Sequence, residues 1–301
     1  MSRRTQRRKV PQRPQAQWRR WLVPAALVAA VAVAAVGWWA TEGQRNVAQG
    51  GVTLAALRPP DIHALSVLPD DERSLVFGSH AGLAISRDGG ASWSKVSGAN
   101  VDAMSIAMPP GSRTAIIAGH DVYLRSEDGG ASWRPVRSGL PGTDIHGFAA
   151  STREPNTFYA YVVGSGLFRS GDAGATWTSL PGAPASTHSL TIVRSGANDV
   201  IFAVTAEGLR RSADAGRTWQ AVPDVSAAYV SAAGDSVYSA GGANIFVSTD
   251  AGASWQRKTV PPGRATLIAP APSRPETIYV VTDRFEVHRS RDGGGTWERV
   301  G

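Results

Sequence analysis

The chain has 301 residues, of which 42% are hydrophobic, no cysteine, and a formal net charge of +7. Residues 1–20 hold eight cations and no acid, which leaves 31 − 8 = 23 basic against 24 acidic residues in the remainder. Because a nucleic-acid-binding protein carries its positive charge on the folded domain, this distribution predicts no nucleic-acid partner. The absence of cysteine excludes thiol catalysis and cysteine-ligated metal.

The N-terminal region predicts a basic cytoplasmic tail at residues 1–17 and a transmembrane anchor at residues 18–40. The uncharged residues from Trp21 to Ala40 would span roughly 30 Å as a helix, the thickness of a bilayer's hydrocarbon core. Tryptophans flank this stretch on both sides, and the upstream cations favour a cytoplasmic N-terminus. We therefore expect a single-pass protein of a bacterial-type cytoplasmic membrane, with the rest of the chain outside the cytoplasm.

A cleaved signal peptide is the rival interpretation, because the apolar stretch is rich in alanine and ends near a sequence that resembles a processing site. Trp38 and Trp39 fit the small-residue rule for cleavage poorly. Arg19 and Arg20 resemble a twin-arginine export signal only weakly. Both interpretations place the remainder of the chain in a periplasmic or extracellular location.

Residues 41–51 are predicted to be a polar linker, and residues 52–301 contain six copies of the motif Ser-x-Asp-x-Gly-x-Ser/Thr-Trp. We call each copy a box; the six boxes are Ser86–Trp93, Ser126–Trp133, Ser170–Trp177, Ser212–Trp219, Ser248–Trp255 and Ser290–Trp297. Successive box aspartates are 40, 44, 42, 36 and 42 residues apart. This spacing is typical of four-stranded propeller blades, so the sequence predicts an all-β, six-bladed β-propeller.

Each repeat shows the same order of predicted strands. Two apolar strands lie ahead of each box, a short third strand runs into it, and the fourth is expected to begin at the box tryptophan. In the fifth repeat, for example, the first strand is predicted at Ala227–Ala232. Val52–Leu57 is expected either to add a strand that clasps the final blade or to lead in from the linker.

The composition of the box is that of a tight turn between the third and fourth strands. Aspartate accepts hydrogen bonds from nearby backbone amides, glycine takes a positive φ without a Cβ clash, and tryptophan buries a large apolar face. We therefore predict structural roles for the box aspartates and tryptophans, which are Asp88, Asp128, Asp172, Asp214, Asp250, Asp292, Trp93, Trp133, Trp177, Trp219, Trp255 and Trp297.

The boxes resemble the Asp-box, or bacterial neuraminidase (BNR), repeat of sialidases, sortilin-type receptors and photosystem II assembly factors. The resemblance covers residues 52–301 and implies a propeller whose boxes lie away from the ligand-binding face. It does not extend to the substrate-binding arginines of sialidases, because Leu57-Arg58-Pro59 lacks the aromatic residue and the isoleucine of their first arginine element. We expect a non-sialidase protein, and the fold alone implies no reaction.

A set of polar residues is predicted at the end of the blades opposite the boxes. In a four-stranded antiparallel blade, the start of the first strand and the turn between the second and third strands lie at this end. Aligning the repeats places six candidate ligand-binding residues there: His63, His80, Asp102, His120, His146 and His188. Imidazoles beside a carboxylate suit a transition metal or proton transfer, whereas the alternative is polar groups that only bond to one another.

The sequence thus predicts a non-catalytic binding or assembly module with a protein or glycan partner and no cofactor. It assigns no catalytic residue. An exo-acting glycoside hydrolase stays open as one alternative, which would need two carboxylates about 5–10 Å apart; its candidate acids are Asp61, Asp102, Asp144 and Asp283. A metal-dependent function of the histidine-bearing face, with a transition metal, is the other alternative.

Overall fold

The computed structural model describes residues 51–301, apart from residues 97–100, 110, 131, 153 and 197. The predicted tail, the predicted anchor and nearly all of the predicted linker lie outside the described residues. Among the described residues, no helix is long and apolar enough to cross a bilayer. The one-turn helix α1 (Leu54–Leu57) opens the described part of the chain.

Gly51–Gly301 is one unit with its own core. Its described residues form six four-stranded antiparallel sheets, and each sheet takes its strands in chain order. The strands are β1 (Ile62–Leu68), β2 (Asp71–Ser79), β3 (Gly82–Ser86), β4 (Ser94–Lys95); β5 (Ala103–Ala107), β6 (Ala115–Gly119), β7 (Val122–Ser126), β8 (Arg134–Pro135); β9 (Ile145–Ala150), β10 (Phe158–Val162), β11 (Gly166–Ser170), β12 (Thr178–Leu180); β13 (Ser189–Ser195), β14 (Asn198–Thr205), β15 (Gly208–Ser212), β16 (Gln220–Ala221); β17 (Tyr229–Ala233), β18 (Ser236–Gly241), β19 (Asn244–Ser248), β20 (Gln256–Lys258); and β21 (Ala265–Ala271), β22 (Arg274–Thr282), β23 (Val287–Ser290), β24 (Glu298–Arg299). The prediction of an all-β, six-bladed propeller is confirmed.

Two details of the predicted strands differ from the structure. Each fourth strand begins one residue after the box tryptophan, because that residue still belongs to the turn; in the first blade, Trp93 Nε1 donates to the carbonyl oxygen of Gly90 at 3.0 Å. The first strand of the fifth blade begins at Tyr229 rather than Ala227. The backbone before it keeps one hydrogen bond to the second strand, from the amide of Ala228 to the carbonyl oxygen of Ala240 at 2.7 Å, and Ser239 Oγ donates to the carbonyl oxygen of Ser226 at 2.9 Å.

The ring closes by packing between the sixth and first blades. The first strands of all six blades surround a central channel, and β1 contacts both β5 and β21. Leu65 of β1 and Leu267 of β21 share one hydrophobic core. Tyr279 in the sixth blade donates a hydrogen bond to the carbonyl oxygen of Glu72 in the first at 2.9 Å. The ring is therefore closed without exchange of a strand between blades.

Of the two alternatives for the segment before the first blade, a strand that clasps the final blade is wrong, because the segment pairs with the first blade. Val52 instead forms an antiparallel bridge with Trp93 of the first blade, with N···O distances of 2.8 and 3.1 Å. Leu54 of α1 then packs in the same core as Trp93 and Phe77. Because this segment covers it, Trp93 is buried, whereas the other five box tryptophans are only half-buried.

All six boxes have the same turn geometry. The first serine donates from Oγ to Oδ1 of the aspartate at 2.7–2.8 Å and accepts from the glycine amide at 2.7–2.9 Å. The second hydroxyl residue donates to the aspartate from its own amide and hydroxyl, as Ser92 does to Asp88 at 2.9 and 2.6 Å. The glycines have φ between 79° and 92°. At Gly90, a Cβ would also lie 2.7 Å from Val287 Cγ1.

Candidate functional site

Five of the six predicted face residues come together at the end of the blades opposite the boxes, and Asp144 joins them. We call His63, His80, Asp102, His120, Asp144 and His146 the histidine cluster. His63 and His146 are the second residues of β1 and β9, and Asp102 and Asp144 directly precede β5 and β9. His80 and His120 lie in the β2–β3 and β6–β7 turns. Three consecutive blades therefore supply the cluster.

Close backbone packing between and within blades brings these elements together. Ala103 pairs with Gly119, and a Cβ at Gly119 would lie only 1.8 Å from the carbonyl oxygen of Asp102. Glycine at this position thus lets the turn that carries His120 approach Asp102. The backbone of His120 also forms a bridge with Asp144 of the next blade. These two contacts hold the β6–β7 turn between Asp102 and Asp144.

The first half of the cluster consists of His63, His80 and Asp102, which we call the first triad. His63 Nε2 lies 2.7 Å from His80 Nδ1. Asp102 Oδ1 lies 2.9 Å from His80 Nδ1 and 3.9 Å from His63 Nε2. One donor atom from each side chain therefore points toward a common centre.

The second half consists of His120, Asp144 and His146, which we call the second triad. His120 Nε2 lies 2.8 Å from His146 Nε2. Asp144 Oδ1 lies 3.2 Å from His120 Nε2 and 3.0 Å from His146 Nε2. Each triad offers two imidazole nitrogens and one carboxylate oxygen, a set that can hold a metal ion.

Asp102 connects the two triads. Its Oδ1 belongs to the first triad, while its Oδ2 lies 2.5 Å from His120 Nδ1. His120 can therefore donate from Nδ1 to Asp102 and still present Nε2, without a proton, to the second triad. The carboxylate of Asp102 fixes both the tautomer and the orientation of this ring.

Hydrogen bonds within the cluster leave one oxygen of each carboxylate unsatisfied. Asp102 Oδ1 and Asp144 Oδ1 are both shielded from solvent and lack a hydrogen-bonded donor, even though imidazole nitrogens lie 2.9 to 3.2 Å away. An unsatisfied buried acceptor costs about 1–3 kcal/mol.

The cluster is open to a ligand from solvent. The His80 side chain is 39% exposed and that of Asp144 is 49% exposed, whereas His63 is 18% exposed. Burial lowers the pKa of His63 below its ordinary value, and the neighbouring His80 lowers it further. The lowered pKa favours the neutral form of His63, which is the form that can coordinate a cation.

Other predicted residues lie outside the cluster. His188 is exposed just before β13, where its backbone amide donates to the carbonyl oxygen of Val204 at 3.0 Å, and it belongs to neither triad. Asp61 stands beside the cluster, with Oδ2 4.0 Å from His80 Nε2. Asp283, a candidate acid, accepts from the backbone amide of Arg264 at 3.1 Å.

Sequence reasoning proposed Asp144 only as a candidate acid and not as a partner of the histidines. A signal was present, because the phrase Asp-Ile-His occurs at residues 61–63 and again at residues 144–146. The two aspartates still differ in the structure: the Asp144 side chain is 49% exposed and contacts two imidazoles, while that of Asp61 is 73% exposed.

The fold and the histidine cluster together define a six-bladed propeller with histidines and aspartates on one face. No protein-family model and no curated protein matches the chain. Among solved structures it is similar to the GH74 xyloglucanase from Xanthomonas campestris, with a TM-score of 0.54 and 17% identity over 80% of this chain and 45% of that chain. It is also similar to the GH74 enzyme of Niastella koreensis, with a TM-score of 0.51 and 20% identity over 78% and 37% of the two chains.

YCF48 bound to D1 peptide aligns with a TM-score of 0.49 and 19% identity, over 79% of this chain and 81% of that chain. The chain spans less than half the length of the two GH74 enzymes. At these identities the similarity to the GH74 enzymes shows a shared propeller fold, and it assigns no activity.

Proposed function

We propose that this protein is a membrane-anchored, extracytoplasmic binding module that holds its ligand or partner on the histidine cluster. The observation that carries the proposal is the convergence of six titratable side chains from three blades on one solvent-accessible face. The anchor at residues 18–40 and the location rest on the uncharged stretch from Trp21 to Ala40 and the cations before it.

The cluster is not needed to build a blade. The turns that correspond to those of His80 and His120 carry Ala206-Glu207 in the fourth blade and Gly242-Ala243 in the fifth. Those blades form the same four-stranded sheets without an imidazole in that turn. Because bringing polar groups together without full hydrogen bonding lowers stability, a binding role accounts for the cluster better than a scaffold role does.

The proposal can be tested with the full chain as bait for proteins and glycans of the source cell envelope. We expect a specific partner that the double variant His63→Ala/His146→Ala no longer retains. His188→Ala is the matched control, because it removes the same side chain outside the cluster. Equal recovery by all three baits, or no specific partner for any, would show that the cluster is not the binding surface.

An exo-acting glycoside hydrolase is the second candidate. It is favoured by the presence of two carboxylates, Asp102 and Asp144, on either side of His120 in the exposed cluster. A panel of fluorogenic glycosides tests it. Hydrolysis that Asp144→Asn abolishes would support this candidate over the binding module, and no hydrolysis of any substrate would remove it.

A further inference from the structure

We infer that the histidine cluster binds two divalent transition-metal ions, one in each triad, and that Asp102 couples the two sites. This inference rests on the proposed function, since it names the ligand of the same face. Zinc is the reference ion, because two imidazoles and one carboxylate form a common three-residue zinc ligand set.

The separations between donor atoms match those of a coordination shell. Four ligands at about 2.0–2.1 Å from a tetrahedral zinc ion lie about 3.3 Å from one another. In the second triad the three separations are 2.8, 3.0 and 3.2 Å. In the first triad they are 2.7, 2.9 and 3.9 Å. Changes of up to about 0.6 Å in these separations would therefore place a cation at the centre of each triad.

The bonding geometry of the ring nitrogens also supports a cation at the centre of each triad. An imidazole nitrogen has one in-plane direction, which holds either a proton or a lone pair and so serves one partner. His80 Nδ1 nevertheless has two close neighbours, His63 Nε2 at 2.7 Å and Asp102 Oδ1 at 2.9 Å. A single proton cannot satisfy all three atoms, whereas one cation at their centre can.

The second triad repeats this pattern. A proton shared between His120 Nε2 and His146 Nε2 leaves Asp144 Oδ1 without a donor, and that oxygen is shielded from solvent. A cation would be bound by both lone pairs and by the carboxylate at once. The unsatisfied oxygens of Asp102 and Asp144, one in each triad, thus both become ligands.

Asp102 makes the two sites dependent on each other. Its Oδ1 is a ligand of the first site, and its Oδ2 accepts the Nδ1 proton of His120, which is a ligand of the second site. A carboxylate that orients a metal-binding histidine typically changes metal affinity by 10–100-fold. Asp102 therefore acts as a ligand in one site and as a positioning residue in the other.

Three protein ligands leave at least one coordination position open at each ion. Such open positions are the means by which bound zinc takes up a further ligand. Since the side chains of His80, His120 and Asp144 are more than a third exposed, the open positions are accessible from solvent. The partner molecule of the histidine cluster would therefore bind through an oxygen or nitrogen atom that coordinates the metal directly.

The experiment uses the full chain, purified in detergent without a polyhistidine tag, stripped by a chelator and titrated with Zn²⁺. Calorimetry and elemental analysis should give two ions per chain. His63→Ala should leave one ion, and so should His146→Ala. Asp102→Ala should leave one ion bound about 10–100-fold more weakly than in the wild type. Co²⁺ in place of Zn²⁺ would report nitrogen and oxygen ligands by its visible absorption.

His188→Ala is the control and should keep both ions at unchanged affinity. Thermal unfolding of each stripped variant checks the fold, and an alanine variant that does not fold is replaced by the conservative change at the same residue, which is His63→Gln, His146→Gln or Asp102→Asn. Binding of one ion or none by the wild type would overturn the inference, as would the same stoichiometry in all cluster variants.

The outcomes also separate this inference from the proposed function. If the bait loses its partner in the double variant but the wild type binds no Zn²⁺, the metal inference fails and the binding module stands. If two ions bind as described and no partner depends on the cluster, the metal sites stand and the proposed function fails.

Discussion

The two ends of the same blades use aspartate in opposite ways. At the box end, Asp88 accepts from Ser86 Oγ at 2.8 Å and from the amide and hydroxyl of Ser92 at 2.9 and 2.6 Å, so that both of its oxygens are satisfied within one turn. At the cluster end, Asp102 and Asp144 each have a shielded oxygen without a hydrogen-bonded donor. A carboxylate satisfied by its own turn supports the fold, whereas one left unsatisfied among imidazoles is available to a ligand.

The largest effect that we expect comes from breaking the close backbone approach at the cluster end. Gly119→Ala would place a Cβ 1.8 Å from the carbonyl oxygen of Asp102, where backbone rather than a flexible side chain must move. We expect a loss of about 3 kcal/mol in the free energy of unfolding, measured by chemical denaturation, together with weaker Zn²⁺ binding.

Gly171→Ala is the matched control for that substitution. Gly171 follows the first serine of its box, and another box carries Ala213 at the same position. Its nearest neighbour within contact range is the flexible end of Arg169, at 3.4 Å. An unchanged or slightly raised stability is expected here. Equal stability of the two variants would show that the cluster end has no special need for glycine.

We expect a smaller effect when an aspartate of a box and an aspartate of the histidine cluster are each replaced in the metal-free protein and the stabilities are compared. Asp88→Ala removes the acceptor of three hydrogen bonds, so we expect a loss of about 1–2 kcal/mol in the free energy of unfolding. Asp102→Ala removes one hydrogen bond, from His120 Nδ1, together with a shielded oxygen that has no donor, and because these two effects oppose each other we expect a change of less than about 0.5 kcal/mol. A larger loss for Asp102→Ala than for Asp88→Ala would contradict the comparison.

The fold was predictable from the sequence because the box motif is repeated six times. Six boxes at nearly constant spacing indicate six equivalent sheets, and the box residues form the turn that their chemistry predicts. The packing of the N-terminal segment was not predictable in this way. Val52 and Leu54 cover one tryptophan out of six identical ones, and a repeated motif carries no information about which copy is covered.

The site was predictable only in part. Aligned repeats place the strand starts and the turns at one end, which is sufficient to propose the face. They do not tell which neighbours meet, because contacts between blades depend on bridges such as that of His120 with Asp144. His188 occupies the aligned strand start in the fourth blade, yet the preceding blade's turn consists of residues 163–165 and contains no histidine.

The smallest effect that we expect is a loss of stability at acidic pH, and it involves only the aspartates of the boxes. Hydrogen bonds from the hydroxyl and amide of Thr176 lower the pKa of Asp172 to about 2, and equivalent bonds lower those of Asp250 and Asp292 to about 2. A carboxylate whose pKa is lowered by folding stabilises the protein above its unfolded pKa, near 3.8, and this contribution is lost as pH falls toward 2. Carboxyl resonances followed by NMR should show these three groups still ionised at pH 3. If they titrate near 4, like free aspartate, the box carboxylates do not stabilise the turn, and the contrast with the histidine cluster would rest on geometry alone.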